Sequence, residues 1–129
     1  MAASARDLGY HVVQTISATV SYTDNGSAVT IGVLPAGAIV LRGTAIVSTA
    51  FNAGTSNVLD IGTSADPDGF ATDLALGTIG NIVADEMAST NDQGPLSADT
   101  TITATPALAG TAATAGTATV VIEYIAKVG

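Results

Sequence analysis

Four aspartates lie close together in the middle of the chain, and they are the strongest candidates for chemistry in the sequence. Asp60, Asp66, Asp68 and Asp73 share one short stretch. Clustered carboxylates, together with loop carbonyl groups, are the oxygen ligands that a calcium ion prefers. Their spacing departs from that of an EF-hand loop, and an Asp-Pro-Asp-Gly run is also good turn chemistry because aspartate accepts hydrogen bonds from nearby backbone groups. Both alternatives stay open, and the spacing favours the turn.

Catalysis has few candidate residues. His11 is the single histidine, so a two-histidine metal site is excluded, and cysteine is absent, so a thiolate site is excluded too. No serine lies in a Gly-x-Ser-x-Gly elbow, and Asp66 and Asp68 stand in one tight turn instead of facing each other across a sugar. We therefore predict no catalytic residues, no enzyme activity and no cofactor. We interpret His11 as a strand residue at a surface or an interface.

Charge and hydropathy exclude two classes of partner. Three basic residues, Arg6, Arg42 and Lys127, stand against 11 acidic ones, for a net charge of -8. Such a chain repels the phosphate backbone, so we expect no nucleic-acid partner. No stretch approaches the ~20 apolar residues of a membrane span, and the start of the sequence lacks the order of a signal peptide. We expect no membrane partner.

The elements that position these residues are predicted to be strands. Thr, Val and Ile are abundant, and the 14 glycines and 4 prolines fall between the apolar runs. This pattern predicts an all-β fold, a jelly roll or β-sandwich of about eight antiparallel strands, as a single domain over residues 10–129 preceded by an N-terminal arm over residues 1–9. The 24 alanines and 19 threonines predict a thin core, which subunit contacts would supplement.

Several local patterns predict particular elements. Val12–Tyr22 alternates apolar and polar residues, which predicts a half-buried strand. Asp24–Gly26 tolerates positive φ before the alternation resumes at Val29, so we predict a hairpin with a tight turn. Ala38–Phe51 is predicted as a long strand with a bulge near Arg42 and Gly43, because glycine inside a strand often marks one.

The second half of the chain has a weaker pattern. Asp73–Leu76 fits either one helical turn or a strand, and Ala107–Gly116, rich in Ala, Thr and Gly, is predicted as a loop. Thr117–Ala126 alternates again and predicts a final strand with Val120 and Ile122 on one face.

Three runs in the middle of the chain resemble a known family. Leu34–Gly43 reads LPAGAIVLRG, Val47–Gly54 reads VSTAFNAG, and Leu59–Phe70 reads LDIGTSADPDGF. These runs resemble head decoration proteins, also called capsid cement proteins, of tailed bacteriophages. The closing run Gly116–Ile125, GTATVVIEYI, is similar in style to the last strand of that family.

The resemblance implies a fold, a partner and a location. It implies a jelly-roll-like domain, commonly a homotrimer, that binds the major capsid protein on the outer surface of the virion and is made in the host cytoplasm. It brings no catalytic residues. On this basis we expect a structural virion protein that stabilises the shell. The Ser64–Asp73 loop and the N-terminal arm are expected to be contact elements because their residues lack a core pattern.

An alternative function is a receptor- or glycan-binding module of a phage head fibre or tail, because related β modules also occur there. Sugar sites usually stack apolar ring faces on Trp or Tyr. Tryptophan is absent from this chain, and only three tyrosines are available. The scarcity of aromatic residues argues against the alternative.

Overall fold

A computed structural model describes residues 12–87 and 92–126 of the chain. These residues form eight strands and one short 3-10 helix, Tyr22–Asp24. The strands are β1 (Val13–Ser21), β2 (Val29–Leu34), β3 (Ile39–Thr49), β4 (Ser56–Thr63), β5 (Ala71–Ala75), β6 (Gly80–Val83), β7 (Thr100–Ala109) and β8 (Thr117–Ile125). The predicted arm and His11 lie outside the described residues, so both stay predictions. Within the described ranges, no helical segment has the length and apolar character that a membrane span requires.

The strands pair from the two ends of the sequence inward. β1 pairs with β8, β2 with β7, β3 with β6 and β4 with β5, and every pair is antiparallel. Two further antiparallel pairings, β3 with β8 and β4 with β7, join these ribbons into two four-stranded sheets. Sheet A has the order β1-β8-β3-β6, and sheet B has the order β2-β7-β4-β5. An eight-stranded double sheet with this nested pairing is a jelly roll, which confirms the predicted fold class.

The core lies between the two sheets and is built from aliphatic side chains. Both phenylalanines of the chain, Phe51 and Phe70, are buried in it. The other inward positions alternate along the strands with outward polar ones, as a two-layer sheet structure requires. Fully buried members include Val20, Val40, Ala45, Leu59, Ile61, Ile102, Ala104, Ala118, Val120 and Ile122. Several of these are alanines, which remove less apolar area from water than larger aliphatic side chains do.

The link from β1 to β2 is not the hairpin that the sequence predicts. β1 belongs to sheet A and β2 to sheet B, so the chain crosses between the sheets here. The 3-10 helix makes this crossing, and the backbone N–H of Ser21 donates to the Asp24 carboxylate at 2.8 Å. The N–H of Tyr22 donates to the carbonyl of Gly116, just before β8. The prediction was wrong because turn residues fix where the chain bends, while burial of the apolar faces decides which strand pairs with which.

The other local predictions can be compared with the strand bounds. The register between β3 and β8 shifts between Val40 and Arg42, so the predicted bulge is present and falls one residue earlier, at Leu41. Of the segment Asp73–Leu76, which fitted a helical turn or a strand, the first three residues lie in strand β5 and Leu76 follows its end. The predicted loop from Ala107 begins later, because β7 continues to Ala109 and pairs there with β4. Small residues fit at this end of β7 because the hydrogen bonds that pair the two strands are made by backbone groups, not by side chains.

The β4–β5 loop, residues 64–70, folds back onto the strand that precedes it. The backbone N–H groups of Thr63 and Gly69 both donate to the carbonyl of Asp66 at 3.0 Å. A Cβ on Gly62 would collide with that carbonyl oxygen and would lie 2.6 Å from the carbonyl carbon of Pro67. The loop therefore occupies the space where a side chain of residue 62 would otherwise point.

This close packing predicts the effect of a methyl group at position 62. Gly62→Ala is expected to lower the free energy of unfolding by about 1–3 kcal/mol, because the loop must move away from β4. Gly77→Ala is the matched control, since no atom lies within 4 Å of the added Cβ and its stability should change little. Urea unfolding measures both. Equal stability of the two variants would contradict the packing described here.

Candidate functional site

Asp60 and Asp73 lie on neighbouring strands and are joined by a backbone hydrogen bond. The N–H of Asp73 donates to Asp60 Oδ1 at 2.8 Å. Asp73 has a φ of +57°, in the left-handed region that aspartate tolerates better than most residues. The bond supports this irregular position in β5, where the pairing with β4 shifts register. One carboxylate oxygen of Asp60 is therefore engaged in holding the backbone.

Asp66 and Asp68 lie in the β4–β5 loop, and a third carboxylate reaches them from a distant part of the chain. Carboxyl oxygens of Asp66 and Asp92 lie close together beside Gly69, and Asp68 acts on Asp66 from within the same loop. The hydrogen bond with Asp92, loss of water around the carboxyl, and repulsion by the Asp92 charge raise the pKa of Asp66 above 3.8, and the bond with Asp68 opposes this. Asp92 was not a predicted site residue. No local pattern marks it, because the contact depends on where the β6–β7 connection runs.

The four predicted aspartates therefore fall into two separate arrangements. Asp60 meets the backbone of Asp73, while Asp66 meets Asp68 and Asp92. In the part of the chain that the structure describes, no group of three or more His, Cys, Asp or Glu side chains is placed to hold a metal ion. The favoured interpretation of these aspartates as turn residues, and the alternative of a calcium site, both stay hypotheses for solution measurements to test.

A cleft of about 290 Å³ lies beside Asp92, between the β4–β5 loop and the β6–β7 connection. Its walls include Thr63, Ala65, Gly94 and Leu96. Asp92 is the one charged side chain among its described lining residues. A two-carboxylate hydrolase needs acids on both sides of its substrate, and this lining does not supply them.

The outer face of sheet A differs from the rest of the surface because it is rich in threonine and in exposed aliphatic side chains. Four large hydrophobic side chains on its strands are exposed: Val13, Leu41, Ile46 and Val83. Between them, the outward positions of β1, β3 and β8 are mainly threonines and serines: Thr15, Ser17, Thr19, Thr44, Thr117 and Thr119. A face of short side chains and exposed aliphatic groups is suited to close contact with another surface.

Charge is distributed unevenly between the two sheets. The strands of sheet A carry two charged residues, Arg42 and Glu123, which form an ion pair with Nη2 to Oε1 at 3.2 Å. The strands of sheet B carry two acids, Asp60 and Asp73, and the loop packed on β4 adds two more. The outer face of sheet A is therefore neutral on a chain whose net charge is -8.

β1 forms one of the two edges of sheet A, and β6 forms the other. β1 is at the end of the strand order, it is nine residues long, and it contains neither a charged residue nor a proline. Charges and prolines are the usual means by which an edge strand is kept from pairing with other chains. The β1 edge is consequently a second surface at which another polypeptide can add.

Solved structures with the same fold include three chains from phage capsids. A chain of "Cyanophage Pam1 capsid asymmetric unit" is 22% identical with a TM-score of 0.73, and the match covers 98% of this chain and 92% of that chain. A chain of "Acidic stable capsid structure of Helicobacter pylori bacteriophage KHP30" is 14% identical with a TM-score of 0.68, covering 91% of this chain and 90% of that one. A chain of "Capsid of Ralstonia phage GP4" is 16% identical with a TM-score of 0.60, covering 91% and 84%. No protein-family model and no curated protein matches the sequence. At these identities the likeness shows a shared fold.

The arrangement of the aspartates predicts the response to calcium. Because Asp60 holds the backbone of Asp73 and the acids of the loop contact one another, millimolar calcium should leave the Tm unchanged relative to magnesium. Thermal unfolding followed by circular dichroism measures this. A calcium-specific rise in Tm that a chelator reverses would establish the metal site instead.

Proposed function

We propose that this chain is a capsid cement protein, a structural virion protein that binds the major capsid protein on the outer surface of a phage head. The observation that carries the proposal is the jelly roll shared over at least 91% of the chain with chains of three phage capsid structures. The outer face of sheet A is a surface suited to contact with another protein, which agrees with a role in stabilising a capsid shell.

The outer face of sheet A is the surface proposed to contact the shell. Its exposed aliphatic groups gain roughly 25 cal/mol for each Å² of apolar surface that an interface buries. Its threonines and serines are short, so the sheet can approach a partner surface closely. Its two charged groups, Arg42 and Glu123, are paired, so an interface that covers them desolvates both ions but leaves neither without a partner. The Ser64–Asp73 loop, also expected to be a contact element, folds back onto β4 but keeps Ser64, Ala65, Pro67 and Asp68 exposed, so its contact role stays a prediction.

The proposed assembly is a homotrimer about a threefold axis, with the β1 edge of each chain against the next chain. Cyclic contacts of this kind cover a strand edge that would otherwise invite uncontrolled pairing. They also add apolar burial to a thin core. Three linked copies bind a repeating lattice more tightly than a single copy does, because each further contact is intramolecular.

The alternative, a glycan-binding module, gains little support from the aromatic side chains. Phe51 and Phe70 are buried in the core. Tyr22 and Tyr124 are half-buried and pack against it, and the Tyr124 hydroxyl lies 3.4 Å from Gln14 Oε1. None of the aromatic rings in the described residues is freely exposed for stacking on a sugar.

A charge placed on the proposed contact face tests the function. Thr119→Arg adds a long cationic side chain to the centre of the sheet A face and is expected to weaken binding to heads lacking this chain by at least about tenfold. Thr101→Arg is the matched control, because Thr101 is also a half-buried outward threonine on a central strand, in sheet B. Occupancy is measured by sedimenting heads with bound protein, and reinforcement by the temperature at which the heads release DNA.

Native mass spectrometry of both variants separates assembly from attachment. Thr119→Arg should remain trimeric but should no longer bind heads well. Thr101→Arg should both remain trimeric and bind heads. If the wild-type chain leaves the temperature of DNA release unchanged, the proposed cement function is contradicted. A wild-type monomer would reject the trimer, and binding to a glycan array without binding to heads would favour the alternative.

The ion pair of the sheet A face offers an independent prediction. Its side chains are 57% and 33% exposed in the single chain, so Arg42→Gln or Glu123→Gln should each change the free energy of unfolding by less than about 1 kcal/mol. In a buried interface, each single variant leaves one charge without its partner and should weaken shell binding strongly. The double variant Arg42→Gln with Glu123→Gln should recover most of the binding. Equal binding by all four proteins would show that another surface contacts the shell.

A further inference from the structure

Asp66 and Asp92 bring two carboxyl groups into contact although they belong to different loops. Both side chains crowd Gly69, where an added Cβ would collide with Asp92 Oδ2 and lie 2.7 Å from Asp66 Oδ2. Asp92 Oδ2 is buried from solvent. Gly69 is therefore the position that lets the two acids meet, and the contact is part of the fold instead of a chance approach of surface side chains.

This contact needs a proton to be favourable. Two carboxylates that share a site cannot both be ionised without strong repulsion, whereas one shared proton turns the pair into a hydrogen bond between donor and acceptor. The charged groups that act on Asp66 are Asp92 from the β6–β7 connection and Asp68 from its own loop. Within the described residues Arg42 is the one basic side chain, and it is engaged with Glu123 on sheet A.

The two acids are attached to different sheets. The loop that carries Asp66 is bonded to β4 of sheet B, since the N–H of Phe70 donates to the carbonyl of Ile61 at 2.9 Å. The connection that carries Asp92 is bonded to β3 of sheet A, since the N–H of Val40 donates to the carbonyl of Gln93 at 2.7 Å. The carboxyl pair therefore bridges the two sheets at one end of the sandwich.

We propose that Asp66 and Asp92 form a proton-dependent clasp that ties the β4–β5 loop to the β6–β7 connection. The clasp is closed while the pair shares one proton. When that proton leaves, the two carboxylates repel each other and this link between loop and connection is lost, while the backbone bond from the N–H of Glu86 to the carbonyl of Phe70 remains. The clasp is a property of the single chain and does not depend on the proposed function.

The sign of the pH dependence follows from the protonated state. Asp66 has a raised pKa in the folded chain, so the folded state binds more protons than the unfolded state at pH values just above 3.8. The contribution of the pair to stability is complete below that value and is lost as pH rises through the folded pKa. This is opposite to the usual carboxylate in an ion pair, whose contribution is lost on acidification.

Asparagine variants test the clasp because an amide has the shape of a protonated carboxyl and stays neutral. The measured quantity is the stability of wild type relative to Asp66→Asn from about pH 3 to pH 7. Wild type should lose stability relative to the variant as pH rises above 3.8, and the same trend should appear against Asp92→Asn. Asp85→Asn is the control, because it removes one acid from an exposed position of the same connection.

Carbon NMR of the Asp66 carboxyl group supplies a readout that a merely structural role would not move. In wild type its titration midpoint should lie above 3.8, and in Asp92→Asn it should fall toward or below that value, because the repelling charge is gone and an amide donor replaces it. Asp85→Asn should leave the midpoint in place. A wild-type midpoint at 3.8, or the same pH dependence of stability in wild type and Asp66→Asn, would overturn the proposal.

Discussion

Burial of two aliphatic faces against each other is the interaction on which this molecule depends. Each sheet has an inner face of Val, Ile, Leu and Ala, and neither face is stable in water without the other. The nested pairing of the strands places those faces together, and every loop then has to cross between sheets or return along one. The positions of the aspartate loop and of the β6–β7 connection follow from these crossings.

The same constraint leaves two different outer surfaces. The side chains that point inward form the core, so only those that point outward are free to vary. The outward side chains of the two sheets differ in kind. Sheet A presents short polar and exposed aliphatic side chains around one ion pair, whereas sheet B is partly covered by its own acidic loop. A chain with a net charge of -8 can approach another surface most readily through the face on which no net charge lies. The proposed attachment through sheet A rests on this difference.

The sequence allowed the strands to be predicted well, because alternation is a local property. Val13–Ser21 was recognised by its period of two, and the bulge at Leu41 was anticipated from the neighbouring glycine. The pairing of strands was not predicted in the same way. The turn after Ser21 indicated a hairpin, but the partner of β1 is β8, more than ninety residues away. Local turn chemistry does not contain that information.

The candidate site shows the same limit. Four aspartates close in sequence suggested one cluster, yet Asp60 bonds to the backbone of Asp73 and Asp66 meets Asp92. Asp92 lies in a turn-rich connection, and nothing in its neighbours distinguishes it from other turn aspartates. Its role depends on a crossing of the sandwich and on the absence of a side chain at Gly69. Both are properties of the whole fold.

The central place of β8 has a consequence for how the chain reaches its native state. β8 is the last of the described strands in chain order, and it lies between β1 and β3, so neither of those strands can gain its main partner in sheet A until β8 has been synthesised. The β4–β5 hairpin is the one pairing between consecutive strands among the described residues, and it can form early. Long-range pairings close slowly because the intervening chain must first be ordered. During synthesis the uncharged β1 is therefore exposed without its partner, and the nascent chain most needs protection from other chains in the interval before β8 emerges.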